Sequence, residues 1–203
     1  TYWLYDYAGV NPQNGNALWR NEEGLLTENY GEARRINAGS PEPLWTGGFN
    51  TELSWRGISL GIQLEARYGN KVLNQDRSLF EADGSYGDSN IWKGAMNYWK
   101  KPGDTNVLPK PVYNNSSNSS AISTRYLEDG SYLRIKDITL AYSLPSKWTK
   151  KALMSGVRIY ASALNLYTFH NMNYWDPEHG TSGVTIISYP MTRSMIVGVD
   201  ITF

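Results

Sequence analysis

From Phe49 onward the chain alternates. Phe49, Thr51, Leu53 and Trp55 are mostly apolar, whereas Asn50, Glu52, Ser54 and Arg56 between them are polar or charged. A side-chain period of two is that of a β-strand with one face in an apolar medium. After the short Arg56-Gly57 turn the pattern resumes, with Ile58, Leu60, Ile62, Leu64, Ala66 and Tyr68 on one face and Ser59, Gly61, Gln63, Glu65 and Arg67 on the other. This predicts a hairpin of strands near 49–55 and 58–68. Three more strands follow. Tyr132 to Leu144 places Ile138, Leu140, Tyr142 and Leu144 opposite Asp137, Thr139, Ala141 and Ser143, with Arg134 and Lys136 falling on the apolar side of its upper half. Val157 to Phe169 sets Val157, Ile159, Ala161 and Ala163 on one face, which then meets Asn165; a bulge near Asn165 would re-aim the strand. At the end, Met195, Val197, Val199, Ile201 and Phe203 alternate with Ser194, Ile196, Gly198, Asp200 and Thr202.

No stretch approaches the roughly 18 to 20 consecutive apolar residues of a membrane-spanning helix. Uninterrupted alternation over about 11 residues is instead the length of a transmembrane barrel strand. The upper half of the Tyr132 strand, with its two cations, is expected to rise above the membrane. The connections alternate in length. The Arg56-Gly57 turn and the Pro145 to Ser155 link are short. Gly69 to Ser131 is roughly sixty residues, far above the soluble-domain norm of about 4 to 6, and Asn171 to Pro190 is also long. Short turns on one side and long loops on the other are the habit of outer-membrane barrels, whose long loops are extracellular and whose C-terminus is then periplasmic. Within the first long loop, Ile91, Trp92, Ala95, Met96 and Trp99 recur at helical spacing, which predicts a short helix with Ser89 as its N-cap and a stop at Lys100-Lys101-Pro102. Asn114 to Ser120, an Asn/Ser tract, reads as exposed turn or disorder. No internal repeat or domain boundary is found beyond these loops. The fold class is therefore all-β: about five C-terminal antiparallel strands of a large transmembrane β-barrel with long extracellular loops.

Composition narrows the functions. Lys plus Arg and Asp plus Glu balance at 19 each, so no basic field exists to attract nucleic-acid phosphates, and nucleic acid is excluded as a partner. The absence of cysteine removes disulfides, thiolate metal sites and cysteine nucleophiles together. With 8 Trp and 15 Tyr against 4 Phe, the aromatics carry polar handles suited to half-wet surfaces such as membrane interfaces and sugar-binding grooves. Trp45, Trp92, Trp99, Tyr174 and Trp175 are the candidate substrate contacts, against packing within the loops. His170 and His179, with Asp176 and Glu178 between them, have no ligand spacing that specifies a metal and read as loop surface. Carboxylates such as Asp83 with Asp88, or Glu128 with Asp129, have no surroundings that mark glycosidase chemistry. Gly47-Gly48 and Gly84 lack a phosphate-loop context and read as turns. No catalytic residue, metal or cofactor is assigned, and the chain is not expected to be an enzyme. It begins Thr1-Tyr2-Trp3 without an initiator Met or an apolar signal core, so a targeting signal is expected upstream.

Several segments, in order, resemble those of SusC-like and RagA-like TonB-dependent transporters. Tyr7-Ala8-Gly9-Val10-Asn11-Pro12-Gln13-Asn14-Gly15-Asn16 is similar to that family's "AGVDPxTGxP". Pro41-Glu42-Pro43 through Thr46-Gly47-Gly48-Phe49 resembles its "P.P...GGF" entry to a strand, and Tyr68-Gly69-Asn70-Lys71 its "YGNK" exit. The stretch from Glu128-Asp129-Gly130-Ser131-Tyr132 to Leu140-Ala141-Tyr142 resembles "EDGSYLRLKNITLGY", and Asn165 to Phe169 resembles "NLFTFT". Asp176-Pro177-Glu178 and Tyr189 to Ser194 resemble "DPE" and "YPxxRS". The resemblance implies a barrel of about 22 strands with a plugged lumen. It further implies import of oligosaccharide or peptide across the cell outer membrane with a SusD-like surface lipoprotein as lid. The plug, the rest of the barrel and the part that contacts the TonB complex would precede Thr1. This chain would supply barrel wall facing outer-membrane lipid, and Phe203 would serve as the terminal signal for barrel assembly. The rival classes are an outer-membrane barrel adhesin or enzyme and a secreted glycan-binding β-sandwich.

Overall fold

The computed structural model describes residues 1–85, 90–113, 117–180, 182–187, 189 and 191–203. In chain order the strands are β1 (Trp3–Tyr5), β2 (Tyr7–Val10), β3 (Ala17–Arg20), β4 (Leu26–Thr27), β5 (Arg35–Asn37), β6 (Trp45–Trp55), β7 (Ile58–Tyr68), β8 (Lys71–Asn74), β9 (Leu127–Asp129), β10 (Tyr132–Ser143), β11 (Gly156–His170), β12 (Val184–Thr185) and β13 (Ser194–Thr202). Helix α1 covers Gln75–Phe80 and α2 covers Ser146–Thr149. None of the described helices is long and apolar enough to cross a membrane. The chain divides into two compact units.

One unit, Pro43–Asn70, Gly130–Glu178 and Tyr189–Phe203, is an antiparallel sheet of order β13-β11-β10-β7-β6. These are the five strands expected from the alternation, and the sheet is open, with β13 and β6 at its edges. Residues directly opposite each other share a face. Val197, Ala161, Leu140, Leu60 and Leu53 therefore form one apolar row across all five strands. Leu53, Leu140 and Val197 are 62%, 53% and 79% exposed, so none of the described residues covers this row. The opposite face carries Glu52, Gly61, Thr139, Ser162 and Ile196 in the neighbouring row. Such two-sidedness without a covering layer is the pattern of a wall between an apolar and a polar medium.

A bulge keeps this division intact along the whole sheet. Ile135 lies opposite Leu64 and Tyr167, whereas Asp137 lies opposite Gln63 and Leu164. Lys136 is thus an extra residue relative to β7, and β11 inserts Asn165 and Leu166 over the same interval. Asn165 takes a positive φ of 50°, a conformation that Asn tolerates better than most residues. The bulge expected at Asn165 is there, and it corrects the placement of Arg134. The extra residue reverses the frame of upper β10, so Leu133 and Ile135 continue the apolar face while Arg134 pairs with Glu65 on the polar one. Gly47 and Gly48 are likewise not a turn. They lie inside β6, where a Cβ at Gly47 would come within 2.4 Å of the Trp45 ring folded over it.

The other unit comprises Thr1–Glu42, Lys71–Asp129 and His179–Ser188. It holds small sheets β1-β5, β2-β3-β4 and β12-β8-β9 around buried Tyr2, Leu4, Leu73 and Tyr126. Trp19 is fully buried between Tyr7 and Tyr30, at ring separations of 5.5 and 5.1 Å. Arg77 ties Glu81 to Glu128, each at 2.8 Å, and Arg125 pairs with Asp83, so these three buried carboxylates have cationic partners. Asp83 is therefore a structural ion-pair partner, and Asp88 lies outside the described residues. In the Asn11-to-Asn16 segment, the amides of Asn11, Asn14 and Asn16 all donate to the Glu28 carboxylate at 2.5 to 2.8 Å. These bonds, Asn16's foremost, hold the Glu28 carboxyl below its ordinary range. The helix expected around 91–99 is only a single 3₁₀ turn, Lys93–Met96, beginning after Trp92 without a side-chain cap, and Ser89 lies outside the described residues. The α-helix of this region is α1, capped by the Asn74 side chain accepting from the Arg77 amide. Of the Asn114 to Ser120 tract, residues 114–116 lie outside the described residues. Gly84 does sit in a turn, with φ of 78°.

Candidate functional site

On the polar face of the sheet unit, the pairing of β7 with β10, bulge included, sets a group of charged side chains side by side. The Tyr132 hydroxyl donates to Glu65 at 2.7 Å, and Arg67 and Lys136 approach the same carboxylate at 3.5 and 3.0 Å. Arg134, whose side chain is wholly buried, donates to Asp176 at 2.5 Å and to Glu178 at 2.7 Å. Lys136 closes the ring by reaching Glu178 at 3.2 Å. A buried guanidinium is tolerable only when such partners replace its lost water. The Asp176-Pro177-Glu178 segment is pre-shaped for this task, because the Glu178 amide donates to the Asp176 carboxylate at 2.8 Å. Asp176 thus pairs with Arg134, and Glu178 with Arg134 and Lys136.

Beside this network lies an open recess of about 310 Å³, lined by Arg134, Thr168, His170, Tyr174, Trp175 and Arg193 among others. Tyr174 is 58% exposed and held at a positive φ of 67°. Aromatic faces beside hydroxyl, imidazole and guanidinium donors suit the binding of a polar molecule. No nucleophile paired with a base is found among the described residues of this recess.

Of the five aromatics singled out, the recess gathers Tyr174 and Trp175. Trp45 stands at the start of β6 on the apolar face, level with Tyr68. In the other unit, Trp92 stacks on Phe80 at 4.9 Å, and Trp99 donates its indole N–H to the Pro12 carbonyl at 3.0 Å while its ring fills the space over Gly15. Both make packing contacts within that unit. Phe203, 89% exposed, follows β13 at the end of the apolar face. Thr168, Arg134 and Arg193 were not foreseen as recess residues. Only a count carried through the bulge, opposing Thr168 to Arg134, puts these two on the polar side.

Together, the open sheet with one exposed apolar face and one charged face defines a section of an outer-membrane β-barrel. Comparison with known proteins makes the class specific. No protein-family model matches the chain. TonB-dependent receptor P3 of Formosa agariphila is 30% identical over 182 residues, covering 84% of this chain and 17% of that protein. TonB-dependent receptor SusC of Bacteroides thetaiotaomicron is 28% identical over 89 residues, covering 43% of this chain and 9% of that protein. Among solved structures, the RagAB peptide transporter aligns over all of this chain and 23% of its own, at 30% identity and a TM-score of 0.85. In the "open-open" state of the RagAB peptide importer the TM-score is 0.83. The chain spans about a fifth or less of the curated relatives it matches, 17% and 20% for the first two. It is a barrel segment of a SusC/RagA-like TonB-dependent receptor.

Proposed function

We propose that the chain is the C-terminal barrel portion of a receptor that imports oligosaccharide or peptide across the outer membrane, working with a SusD-like surface lipoprotein. Energy coupling through the TonB complex and the plug lies in parts of the receptor outside these 203 residues. The observation that carries the reading is the apolar row Val197-Ala161-Leu140-Leu60-Leu53 backed by a charged face, which gives lipid on one side and a wet lumen on the other. In this arrangement the Arg56-Gly57 and Pro145–Ser155 connections and Phe203 face the periplasm. Gly69–Ser131 and Asn171–Pro190 form extracellular surface toward the lid, and Tyr174 and Trp175 line the path of the imported molecule. Trp45 anchors the outer interface of the bilayer, a level where aromatics are enriched. The alignment with a peptide transporter and with SusC supports import as the activity without choosing between the two substrate classes.

The test is deletion of the receptor gene in its host, followed by growth on oligosaccharides and on peptide mixtures as sole carbon source. Loss on one class identifies the substrate, and undiminished growth on both refutes import. Co-purification of the intact receptor with a surface lipoprotein, before and after excision of each long loop, tests the lid.

A further inference from the structure

The sheet unit ends, on its short-connection side, in a surface that the transport reading does not use. Two connections meet there. The β6–β7 turn is Trp55-Arg56-Gly57, and the β10–β11 connection runs from Leu144 to Ser155 through α2 and a 3₁₀ turn at Lys150–Ala152. They belong to one end of the sheet, since Tyr142 opposes Ile58 and the Ser143 amide donates to the Gly57 carbonyl at 2.7 Å. The connection is pinned rather than loose. The Leu144 amide donates to Val157, the Met154 amide to Thr149 and the Ser155 amide to Thr202, at 2.8 to 3.1 Å.

The chemistry displayed there is one-sided. The two connections contain Arg56, Lys147, Lys150 and Lys151 and no carboxylate. Among the described residues none of these four cations forms an ion pair; Arg56 instead lies over the Trp55 ring at 4.8 Å. Glu52 and Asp200, in the parts of β6 and β13 toward this end of the sheet, are on the polar face, and Asp200 is paired with Arg158 at 3.4 Å. Interleaved with the cations are large apolar side chains left in the open. Trp55 is 68% exposed, Trp148 61% and Leu153 88%, and Leu153 is held in the left-handed region at φ of 58°, unusual for so bulky a residue. Immediately above stand the exposed apolar rows of the sheet, beginning with Tyr142, Ile159 and Val199.

Cations without counter-ions, beside indoles and directly continuous with a lipid-facing band, fit one partner by charge and by position: phosphate headgroups of an anionic bilayer leaflet. We propose that the Trp55–Gly57 and Leu144–Ser155 connections form a binding surface for anionic phospholipid, the lysines holding headgroup phosphates and Trp148, Trp55 and Leu153 inserting at the boundary with the acyl chains. The proposal rests on the reading of this sheet as barrel wall. It adds that the short-connection side selects its lipid.

The experiment uses the full-length receptor purified from outer membranes in neutral detergent and titrated with phosphatidylglycerol or with phosphatidylcholine, binding being read by native mass spectrometry. Wild type should retain phosphatidylglycerol in preference to phosphatidylcholine. The K147Q/K150Q/K151Q variant should weaken phosphatidylglycerol retention by about fivefold per lysine removed, and K147R/K150R/K151R should restore it. Equal retention of both lipids by wild type, or an unchanged preference in the glutamine variant, overturns the proposal. So does retention of lipopolysaccharide in place of phosphatidylglycerol, or binding of a periplasmic protein at the lysines with no lipid preference. Heat-modifiable mobility and outer-membrane fractionation are read on the same preparations. A properly inserted wild-type receptor without lipid preference sinks the lipid surface alone, whereas failure of wild type to fractionate with the outer membrane sinks the barrel reading beneath it.

Discussion

Replacing Arg134 by Met removes the guanidinium and keeps most of the stem volume, so the change isolates the charge. Two carboxylates lose their buried partner, Asp176 at 2.5 Å and Glu178 at 2.7 Å. Breaking a buried ion pair by removing one member costs about 3 to 5 kcal/mol when the orphan is sealed from water. Here the orphans can hydrate, because their side chains are 16% and 20% exposed, and Lys136 remains 3.2 Å from Glu178. The cost should fall to the bottom of that range or just under it, about 2 to 3 kcal/mol. It should appear as local opening of the Tyr174–Glu178 segment, because β10 retains its backbone ladder to β7 and β11. The assay is native-state hydrogen exchange on the full-length receptor, followed at the Glu178 amide that bonds to Asp176. Acceleration of about 30- to 150-fold is expected, at tenfold per 1.4 kcal/mol, with protection in β7 and β10 unchanged. Unaltered exchange at Glu178 would refute the view that Arg134 holds this segment; equal loss of protection throughout the sheet would show that Arg134 supports the wall itself.

Leu64→Arg should destabilise the inserted barrel by about 2 to 4 kcal/mol if Leu64 faces lipid near mid-membrane, while Gln63→Arg should be nearly neutral; reversal of that order in urea unfolding from vesicles overturns the face assignment. Burial pushes the Tyr7 hydroxyl up to about 12, with Arg125 opposing. Its neutral form therefore supports the folded unit below pH about 10 and that support is lost as pH rises toward 12; because burial also raises Tyr2, Tyr30 and Tyr126, spectrophotometric titration should show a group of late-ionising phenols that Tyr7→Phe reduces by one. Deleting Asn165 should abolish heat-modifiable folded barrel while Asn165→Gly leaves it intact, because the insertion and its positive φ are needed and the Asn side chain is not; similar yields from both would discount the bulge. Deleting Phe203 should impair assembly more than Val199→Ala does, and normal amounts of inserted barrel without Phe203 would leave it as a lipid-facing anchor only.

The sheet was legible because its two faces meet different solvents, and a period of two then survives over whole strands. Ile58–Tyr68 was read to the residue for that reason. Where the faces do not differ, the pattern fades. The strands of the loop unit are two to four residues long and bury side chains by local tertiary fit, as Trp19 does between Tyr7 and Tyr30, so no alternation accumulates. Helix α1 did carry a local signal, Asn74 as N-cap with Asp76 in the first turn, but its six residues are too few to display a helical stripe. The 91–99 spacing displayed that stripe and still yields one 3₁₀ turn, because Trp92 is satisfied by stacking on Phe80 and Trp99 by its bond to Pro12. Periodicity reports what could be shared by one face; it does not report which neighbour arrives.

The charges of β10 carry this reasoning one step further. Without the extra residue at Lys136, a strict alternation upward from Ile138 would place Arg134 on the same face as Leu140, in contact with lipid or its headgroups. With it, the apolar rows continue unbroken through Ile135 and Leu133 while Arg134 turns inward to Asp176 and Glu178. The bulge therefore serves both surfaces at once: it spares the outer face a cation and supplies the inner face with the charge on which the Tyr174–Glu178 segment is hung. That is why Asn165, a residue that contacts neither carboxylate, belongs to the architecture of the recess as much as the arginine does.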